Sequence, residues 1–216
     1  MKQIRLPFLA LLLVFALSAR AEDIAAQLTG KLVALRGKSA LPFAGAELAH
    51  AKYIALYYSA GWCGPCHQFT PDLVKFYNEM HASHPEFEIV FMSRDESSNA
   101  MEKYMGEMAM PWPAMRFGFV KNSRALNKYA GSGIPCLVLL NEQGEVLSDS
   151  YVNGKYVGPQ KVMSDLKKLL TGDGGGIART ELATPAATAT TAATPSGSSI
   201  KSPSGTNWDE VFKKKP

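Results

Sequence analysis

The sequence predicts an α/β domain whose central sheet is at least partly parallel. Strand-like and helix-like segments alternate from Gly30 to about Thr171, which is the order expected when strands are joined through helices. Residues 53–58 are apolar enough to form a strand buried on both faces of a sheet. Residues 66–80 follow with apolar side chains at helical spacing, as expected of a helix packed on that sheet.

The other elements are predicted from the same two periodicities. Strands are expected over 31–35, 53–58, 88–92, 136–140 and 145–147, and helices over 66–80, 97–108, 122–129 and 160–170. The helix over 97–108 ends before Pro111, since a proline disfavours helical backbone at the residue before it. Gly144 lies between the last two strands and can adopt a positive φ, which predicts a β-hairpin there.

The amino-terminal residues have the pattern of a secretory signal peptide. Lys2 and Arg5 precede an apolar run over 6–17, and the small-residue stretch 19–21 follows it. The run is shorter than the roughly 20 residues that a membrane-spanning helix needs. We therefore expect residues 1–21 to be removed and the protein to be exported, periplasmic or secreted, without stable membrane insertion.

The carboxy-terminal residues differ in composition from the rest of the chain. Residues 172–207 are dominated by Gly, Ala, Thr, Ser and Pro, and such a segment has too little apolar surface to offset the entropy lost on ordering. The last ten residues, which include Trp208, Val211 and Phe212, have two interpretations: a solvated, frayed terminus or a short docking element. The sequence therefore predicts a flexible tail over 172–216 and a folded domain over 22–171.

Charge and cysteine content exclude some classes of function. The whole chain has a formal net charge of +4, and removal of residues 1–21 leaves 20 basic against 19 acidic residues. This balance favours neither nucleic acid nor an anionic surface as a partner. Three cysteines are too few for a disulfide-stapled scaffold. Because Cys63 and Cys66 are separated by two residues, their arrangement indicates a reactive cysteine site and not a structural disulfide framework.

The segment from Trp62 to Cys66 has the residue types that dithiol exchange needs at a junction of strand and helix. Cys63 would lie at the start of the helix, where unpaired N–H groups and the helix dipole stabilise a thiolate, the attacking species. Cys66, one turn later, could then resolve the mixed disulfide. Gly64 allows a partner backbone to approach, and Pro65 suits the first helical turn. Trp62 would be a flat apolar shoulder; the alternative is an ordinary core aromatic.

These residues carry a resemblance to a known family. A strand, Trp-Cys-Gly-Pro-Cys and a helix, followed later by Gly133-Ile134-Pro135 entering a strand, resemble the thioredoxin superfamily. The similarity is closest to its tryparedoxin and nucleoredoxin branch and extends over 28–170, with shared motifs at 57–63, 69–71, 88–91, 95–96 and 110–112. It implies a thioredoxin-like fold, a central mixed β-sheet flanked by helices. It also implies a thiol-disulfide oxidoreductase with no cofactor other than its redox-active disulfide.

The resemblance also implies roles for individual residues. Cys63 matches the nucleophile, Cys66 the resolving cysteine, and Pro135 the cis-proline that faces the disulfide and binds substrate backbone. Ile134 is the residue type found before this proline in reducing members, which favours reduction of protein disulfides. The expected partners are disulfide-containing protein substrates and a thiol electron donor or acceptor.

The chain departs from the family pattern near the active site. Tyr57 stands where thioredoxin has a buried aspartate, and a phenol is a poor base near neutral pH. Asp95 and Glu96, just past the strand over 88–92, are candidates for the proton shuttle of Cys66; the other interpretation is ordinary helix N-capping. Gly64 replaces the second proline that tryparedoxins commonly have in the motif.

Cys136 directly follows Pro135, where relatives usually carry threonine. One interpretation is a buried, inert thiol, because free cysteine is among the most buried residue types. The other interpretation is a thiol close to Cys63 that permits a second disulfide or a regulatory cap.

Other classes of function compete with the oxidoreductase. A non-catalytic peptide-binding module could use the same fold, since fold does not determine function. Cys63, Cys66 and His67 also form the Cys-x-x-Cys-His motif that attaches c-type haem. A zinc site needs four ligands and this motif supplies two cysteines, so no metal is expected.

Overall fold

The structure is a computed structural model, and it describes residues 23–172. The signal peptide expected over 1–21 lies outside the described residues, as does the tail expected over 172–216 apart from Gly172. Both assignments stay predictions.

The described residues form six helices and nine strands in α/β order. The strands are β1 (Leu32–Arg36), β2 (Ser39–Phe43), β3 (Tyr53–Ser59), β4 (Phe87–Ser93), β5 (Ala114–Met115), β6 (Cys136–Asn141), β7 (Val146–Asp149), β8 (Tyr151–Val152) and β9 (Lys155–Tyr156). The helices are α1 (Ile24–Leu28), α2 (Gly64–Met80), α3 (Ser98–Glu107), α4 (Phe117–Val120), α5 (Arg124–Asn127) and α6 (Pro159–Thr171), with a 3-10 helix at Ala46–His50.

Seven strands make one mixed sheet in the order β2-β1-β5-β4-β3-β6-β7. Strand β3 pairs in parallel with β4 on one side and antiparallel with β6 on the other. A parallel pair needs a crossover connection, and α2 provides it between β3 and β4. The expected fold, a central mixed sheet flanked by helices, is therefore confirmed.

Successive residues of the central strands point to opposite faces of the sheet and fill two apolar layers. On β3, Tyr57 belongs to the layer that α2 and α6 cover, while Tyr58 belongs to the layer on the other face. On β6, Leu137 and Cys136 divide in the same way. The carboxyl end of β3 leads directly into α2, so the start of that helix lies at the carboxyl end of a central strand of the sheet.

Some elements differ from those predicted. The helix expected over 122–129 is limited to Arg124–Asn127, and a separate four-residue helix covers Phe117–Val120. Strand β2 is an edge strand with half-exposed and exposed residues, so it lacks the apolar run that predicts a central strand. The two-residue strands β5, β8 and β9 are too short to show a period of two.

Candidate active site

Cys63 and Cys66 form a disulfide at the start of α2, with their Cα atoms 5.2 Å apart. Cys63 is the N-cap of this 17-residue helix and has extended backbone angles, φ −91° and ψ 106°. Its sulfur accepts a hydrogen bond from the backbone N–H of Cys66, with Sγ and N 3.2 Å apart. Pro65 lies in the first turn, where no helical hydrogen bond is lost. A sulfur in this position is a suitable place for negative charge.

The surroundings of the disulfide are open on one side. Trp62 is 64% exposed and its indole N–H donates to the carbonyl oxygen of Arg94 at 3.2 Å. The alternative interpretation of Trp62 as a core aromatic is therefore wrong. Gly64 is exposed, and a Cβ atom added to it would have no neighbour within 4 Å. Cys63 retains 5% exposure whereas Cys66 has none, so Cys63 is the sulfur nearer to solvent.

The segment before β6 closes the other side of the disulfide. We call residues 131–135 the proline loop; its last peptide bond, between Ile134 and Pro135, is cis. The Sγ atom of Cys63 lies 3.7 Å from the carbonyl oxygen of Ile134. Among the described residues, the N–H of Ile134 has no hydrogen-bond acceptor. The proline loop thus presents backbone groups beside the sulfur of Cys63.

Asp95 lies near the site and binds the turn that precedes Trp62. One oxygen of its carboxylate accepts from the N–H of Gly61 at 2.8 Å, and the other accepts from the hydroxyl of Ser93 at 2.8 Å. Asp95 is buried, while Glu96 is exposed. Neither caps α3, because the hydroxyl of Ser97 accepts from Ala100 N–H. The capping alternative is wrong, and the role of Asp95 or Glu96 as proton shuttle stays a prediction.

Gly61 is held at both of its backbone polar groups. His67 places its Nε2 atom 2.6 Å from the carbonyl oxygen of Gly61, opposite the bond to Asp95. The imidazole therefore donates at Nε2, and its ring packs on Tyr104 with centroids 5.0 Å apart. An axial haem ligand would need the same nitrogen atom. The Cys-x-x-Cys-His residues therefore do not fit the c-type haem site.

A buried chain of hydroxyl groups, which was not predicted from the sequence, lies behind Cys66. Thr70 donates to the carbonyl oxygen of Cys66 at 2.7 Å, so its single hydrogen is used there. It must then accept from Tyr57 at 2.8 Å and from Tyr104 at 2.7 Å. Tyr104 in turn accepts from Ser59 at 3.0 Å. Every hydrogen in the chain thus points towards Cys66 without reaching its sulfur.

Burial raises the pKa of Tyr57 well above its ordinary value, with Tyr104 adding to the effect. Since its hydroxyl donates to Thr70 and stays protonated, Tyr57 cannot accept the proton of Cys66. The sequence signal that could have revealed this arrangement is the set of polar side chains at buried positions, Thr70 among them, within otherwise apolar stripes.

Cys136 lies on the other face of the sheet from the disulfide. Its side chain is fully buried in the layer with Tyr58 and Val138, whereas Cys63 and Cys66 belong to the opposite layer. Burial raises the pKa of the Cys136 thiol to about 11. These observations favour the inert, buried thiol and argue against a disulfide with Cys63.

The described part of the chain offers few alternatives to this site. Within residues 23–172, no group of three or more His, Cys, Asp or Glu side chains could hold a metal ion. No helix in the same range is long and apolar enough to cross a membrane.

A cleft of about 350 Å³ lies beside Trp62, and it is lined by Asp95, Glu96, Lys103, Tyr104 and Glu107.

Comparison with known proteins agrees with this geometry. A family described as Thioredoxin-like matches residues 51–146. The solved structure of thioredoxin from Wuchereria bancrofti is 35% identical, with a TM-score of 0.50, and the match covers 65% of this chain and 96% of that protein. The chain belongs to the thioredoxin superfamily.

Within the superfamily, the sequence is similar to nucleoredoxins and tryparedoxins. Probable nucleoredoxin 1 from Arabidopsis thaliana is 41% identical over 102 residues, which are 47% of this chain and 17% of that relative. The chain therefore spans less than a fifth of this curated relative. Tryparedoxin I from Leishmania major is 28% identical, with a TM-score of 0.49, and the match covers 68% of this chain and 91% of that protein. Together with the match to thioredoxin, the Cys63–Cys66 disulfide makes the chain a member of the thioredoxin-like oxidoreductase family with a cysteine pair at disulfide distance.

Proposed function

We propose that this protein reduces disulfide bonds in protein substrates by dithiol exchange through Cys63 and Cys66. One observation carries the proposal: the sulfur of Cys63 caps α2, bonds to Cys66 and lies beside the Ile134 carbonyl oxygen. A sulfur with these neighbours has a stabilised anion, a resolving partner and a backbone surface for a substrate within a few ångströms.

The first step is attack by the Cys63 thiolate on one sulfur of the substrate disulfide. A bond forms between that sulfur and Cys63, and the other substrate sulfur leaves as a thiolate that takes up a proton. The N–H of Ile134 is available to a substrate backbone that lies along the proline loop as an added strand. Exposed Trp62 supports the substrate on the other side of the sulfur.

The second step is attack by Cys66 on the sulfur of Cys63. It forms the Cys63–Cys66 disulfide and releases the second substrate sulfur as a thiol, so two electrons pass from the protein to the substrate. Cys66 must lose a proton to attack, and Asp95 or Glu96 accepts it in our proposal. Both border the cleft beside Trp62, and Tyr57 is excluded by its raised pKa.

The reaction requires a thiol donor that reduces the Cys63–Cys66 disulfide after each cycle. The amino-terminal pattern over 1–21 supports an exported protein, so the proposed substrates are disulfide-containing proteins of the periplasm or the extracellular space.

Insulin reduction with dithiothreitol as donor tests the proposal. We expect the wild-type protein to accelerate precipitation of the insulin B chain, and Cys63→Ser to be inactive. Cys136→Ala is the matched control, since it removes the one described cysteine outside the disulfide, and it should retain wild-type activity. Equal activity of the wild type and Cys63→Ser would reject the reductase and favour a peptide-binding module.

A further inference from the structure

A short β-hairpin outside the main sheet lies against the proline loop. Its strands β8 and β9 pair antiparallel, with Tyr151 opposite Tyr156. Asn153 and Gly154 connect them with φ values of 51° and 74°, as a two-residue type I′ turn requires. Paired residues of antiparallel strands project to the same face, and the two rings lie with centroids 5.2 Å apart. We call residues 151–156 the tyrosine hairpin.

Each tyrosine hydroxyl binds a backbone group of the proline loop. The hydroxyl of Tyr151 accepts from the N–H of Gly133 at 2.8 Å. The hydroxyl of Tyr156 donates to the carbonyl oxygen of Pro135 at 2.9 Å. One bond therefore lies just before Ile134 and the other just after it. The peptide groups of Ile134 itself, which lie beside Cys63, are left for other partners.

The ring of Tyr151 also packs directly on the loop backbone. A Cβ atom added to Gly131 would overlap this ring, and one added to Gly133 would lie 3.2 Å from its hydroxyl oxygen. The loop can approach the ring this closely only because position 131 is glycine, whereas a side chain at position 133 would require a small shift of the hydroxyl. Tyr151 therefore holds the proline loop both by close packing of its ring and by the hydrogen bond of its hydroxyl.

The tyrosine hairpin is fixed to the main sheet at its base. The N–H of Val157 donates to the carbonyl oxygen of Ser150 at 2.8 Å, which closes the hairpin. The hydroxyl of Ser150 accepts from the N–H of Leu137 at 2.8 Å and donates to its carbonyl oxygen at 2.9 Å. Leu137 lies on β6, two residues after Pro135. The hairpin thus connects the proline loop to a rigid strand.

We propose that Tyr151 and Tyr156 are positioning residues that hold the proline loop in the shape that receives a disulfide-bearing polypeptide. The inference rests on the proposed function and adds to it a determinant of protein-substrate binding. The two hydroxyl groups fix the backbone on either side of Ile134, so its N–H and carbonyl groups stay aligned beside Cys63. A substrate strand then binds a preformed edge without the entropic cost of ordering the loop.

Tyr151→Phe and Tyr156→Phe test this proposal, because each keeps the ring and removes only the hydroxyl. Tyr129→Phe is the matched control: its hydroxyl donates to Gly144 at 2.7 Å, in the turn between β6 and β7. With insulin as substrate, we expect each test variant to raise KM about three- to tenfold, the range for one lost hydrogen bond, with a smaller change in kcat. Tyr129→Phe should keep the wild-type KM.

A second measurement does not depend on activity. Amide hydrogen exchange of Gly133 should be about fivefold faster in Tyr151→Phe than in the wild type, and unchanged in Tyr129→Phe. A wild-type KM in both test variants, or unchanged exchange at Gly133, would overturn the inference while wild-type insulin reduction still supported the proposed function. If the wild type did not reduce insulin, the proposed function would fail, and the exchange rates alone would decide whether the hydroxyls order the loop.

Discussion

The sulfur of Cys63 lies 3.2 Å from the backbone nitrogen of Cys66 and accepts its hydrogen bond. This contact places the sulfur among the unpaired N–H groups at the start of α2. The positive end of the helix dipole acts there too, and both effects stabilise a thiolate. The proposed chemistry depends on this local arrangement more than on any other feature of the fold.

The reduced protein should show strongly unequal cysteine reactivity. At neutral pH, iodoacetamide is expected to modify Cys63 at least about tenfold faster than Cys136, since Cys136 is buried and its pKa is raised to about 11. Mass spectrometry of peptides after timed alkylation measures both rates. Labelling of Cys136 should become fast only after the protein is unfolded in guanidinium; rapid labelling in the folded state would contradict its placement.

The Cys136 thiol also predicts a dependence of stability on alkaline pH. Its pKa in the folded protein, about 11, lies above the ordinary value of 9.0 because burial disfavours the anion. The stabilising contribution is therefore complete below pH 9 and is lost as the pH rises towards 11. Urea unfolding at pH 8 and pH 11 should show a smaller loss of unfolding free energy in Cys136→Ala than in the wild type. Equal losses would show that the thiol is not buried in its neutral form.

Thr70 should be important for stability because it satisfies the buried hydroxyls behind Cys66. Thr70→Val keeps the shape but leaves the hydroxyls of Tyr57 and Tyr104 without their acceptor, which should cost about 2–4 kcal/mol of unfolding free energy. Thr29→Val is the matched control, since Thr29 also donates to a carbonyl four residues earlier, but at an exposed position. It should cost less than about 1 kcal/mol. Similar losses in the two variants would remove the argument for a buried network.

A side chain at Gly61 should destabilise the protein. A Cβ atom there would lie 3.0 Å from the Cβ atom of Tyr104, so Gly61→Ala is expected to destabilise the protein by about 1–3 kcal/mol. Gly64→Ala adds the same methyl group three residues later, where no atom lies within 4 Å, and the thermal midpoint should change little. A melting experiment on both variants is sufficient; a larger loss for Gly64→Ala would contradict the packing described here.

The central part of the fold was predictable because its signals are local. Residues 53–58 and 136–140 are apolar on both faces, and α2 begins directly after Cys63 with a proline in its first turn, so each segment specifies its own structure. Cys66 lies in α2 and Cys63 caps it, which explains why the cysteine pair was found from the sequence. The expected strands over 53–58 and 136–140 are β3 and β6.

Other features depend on contacts between distant residues and left no such pattern. Strand β5 has only two residues and exists through its pairing with β1 and β4. Thr70 and Tyr104 meet across 34 residues of chain, which no periodicity records. The tyrosine hairpin did have a local signal, Asn153-Gly154 between β-branched and aromatic residues, and an Asn-Gly search would have found it.

Trapping of the mixed disulfide tests the central claim most directly. Cys66→Ser retains the attacking sulfur of Cys63 and lacks the sulfur that resolves the intermediate. After incubation with a disulfide-containing protein, it should accumulate a covalent complex that dithiothreitol releases, and peptide mapping should find the bond at Cys63. Absence of a complex with Cys66→Ser, or an equal amount with Cys63→Ser, would contradict the assignment of Cys63 as nucleophile.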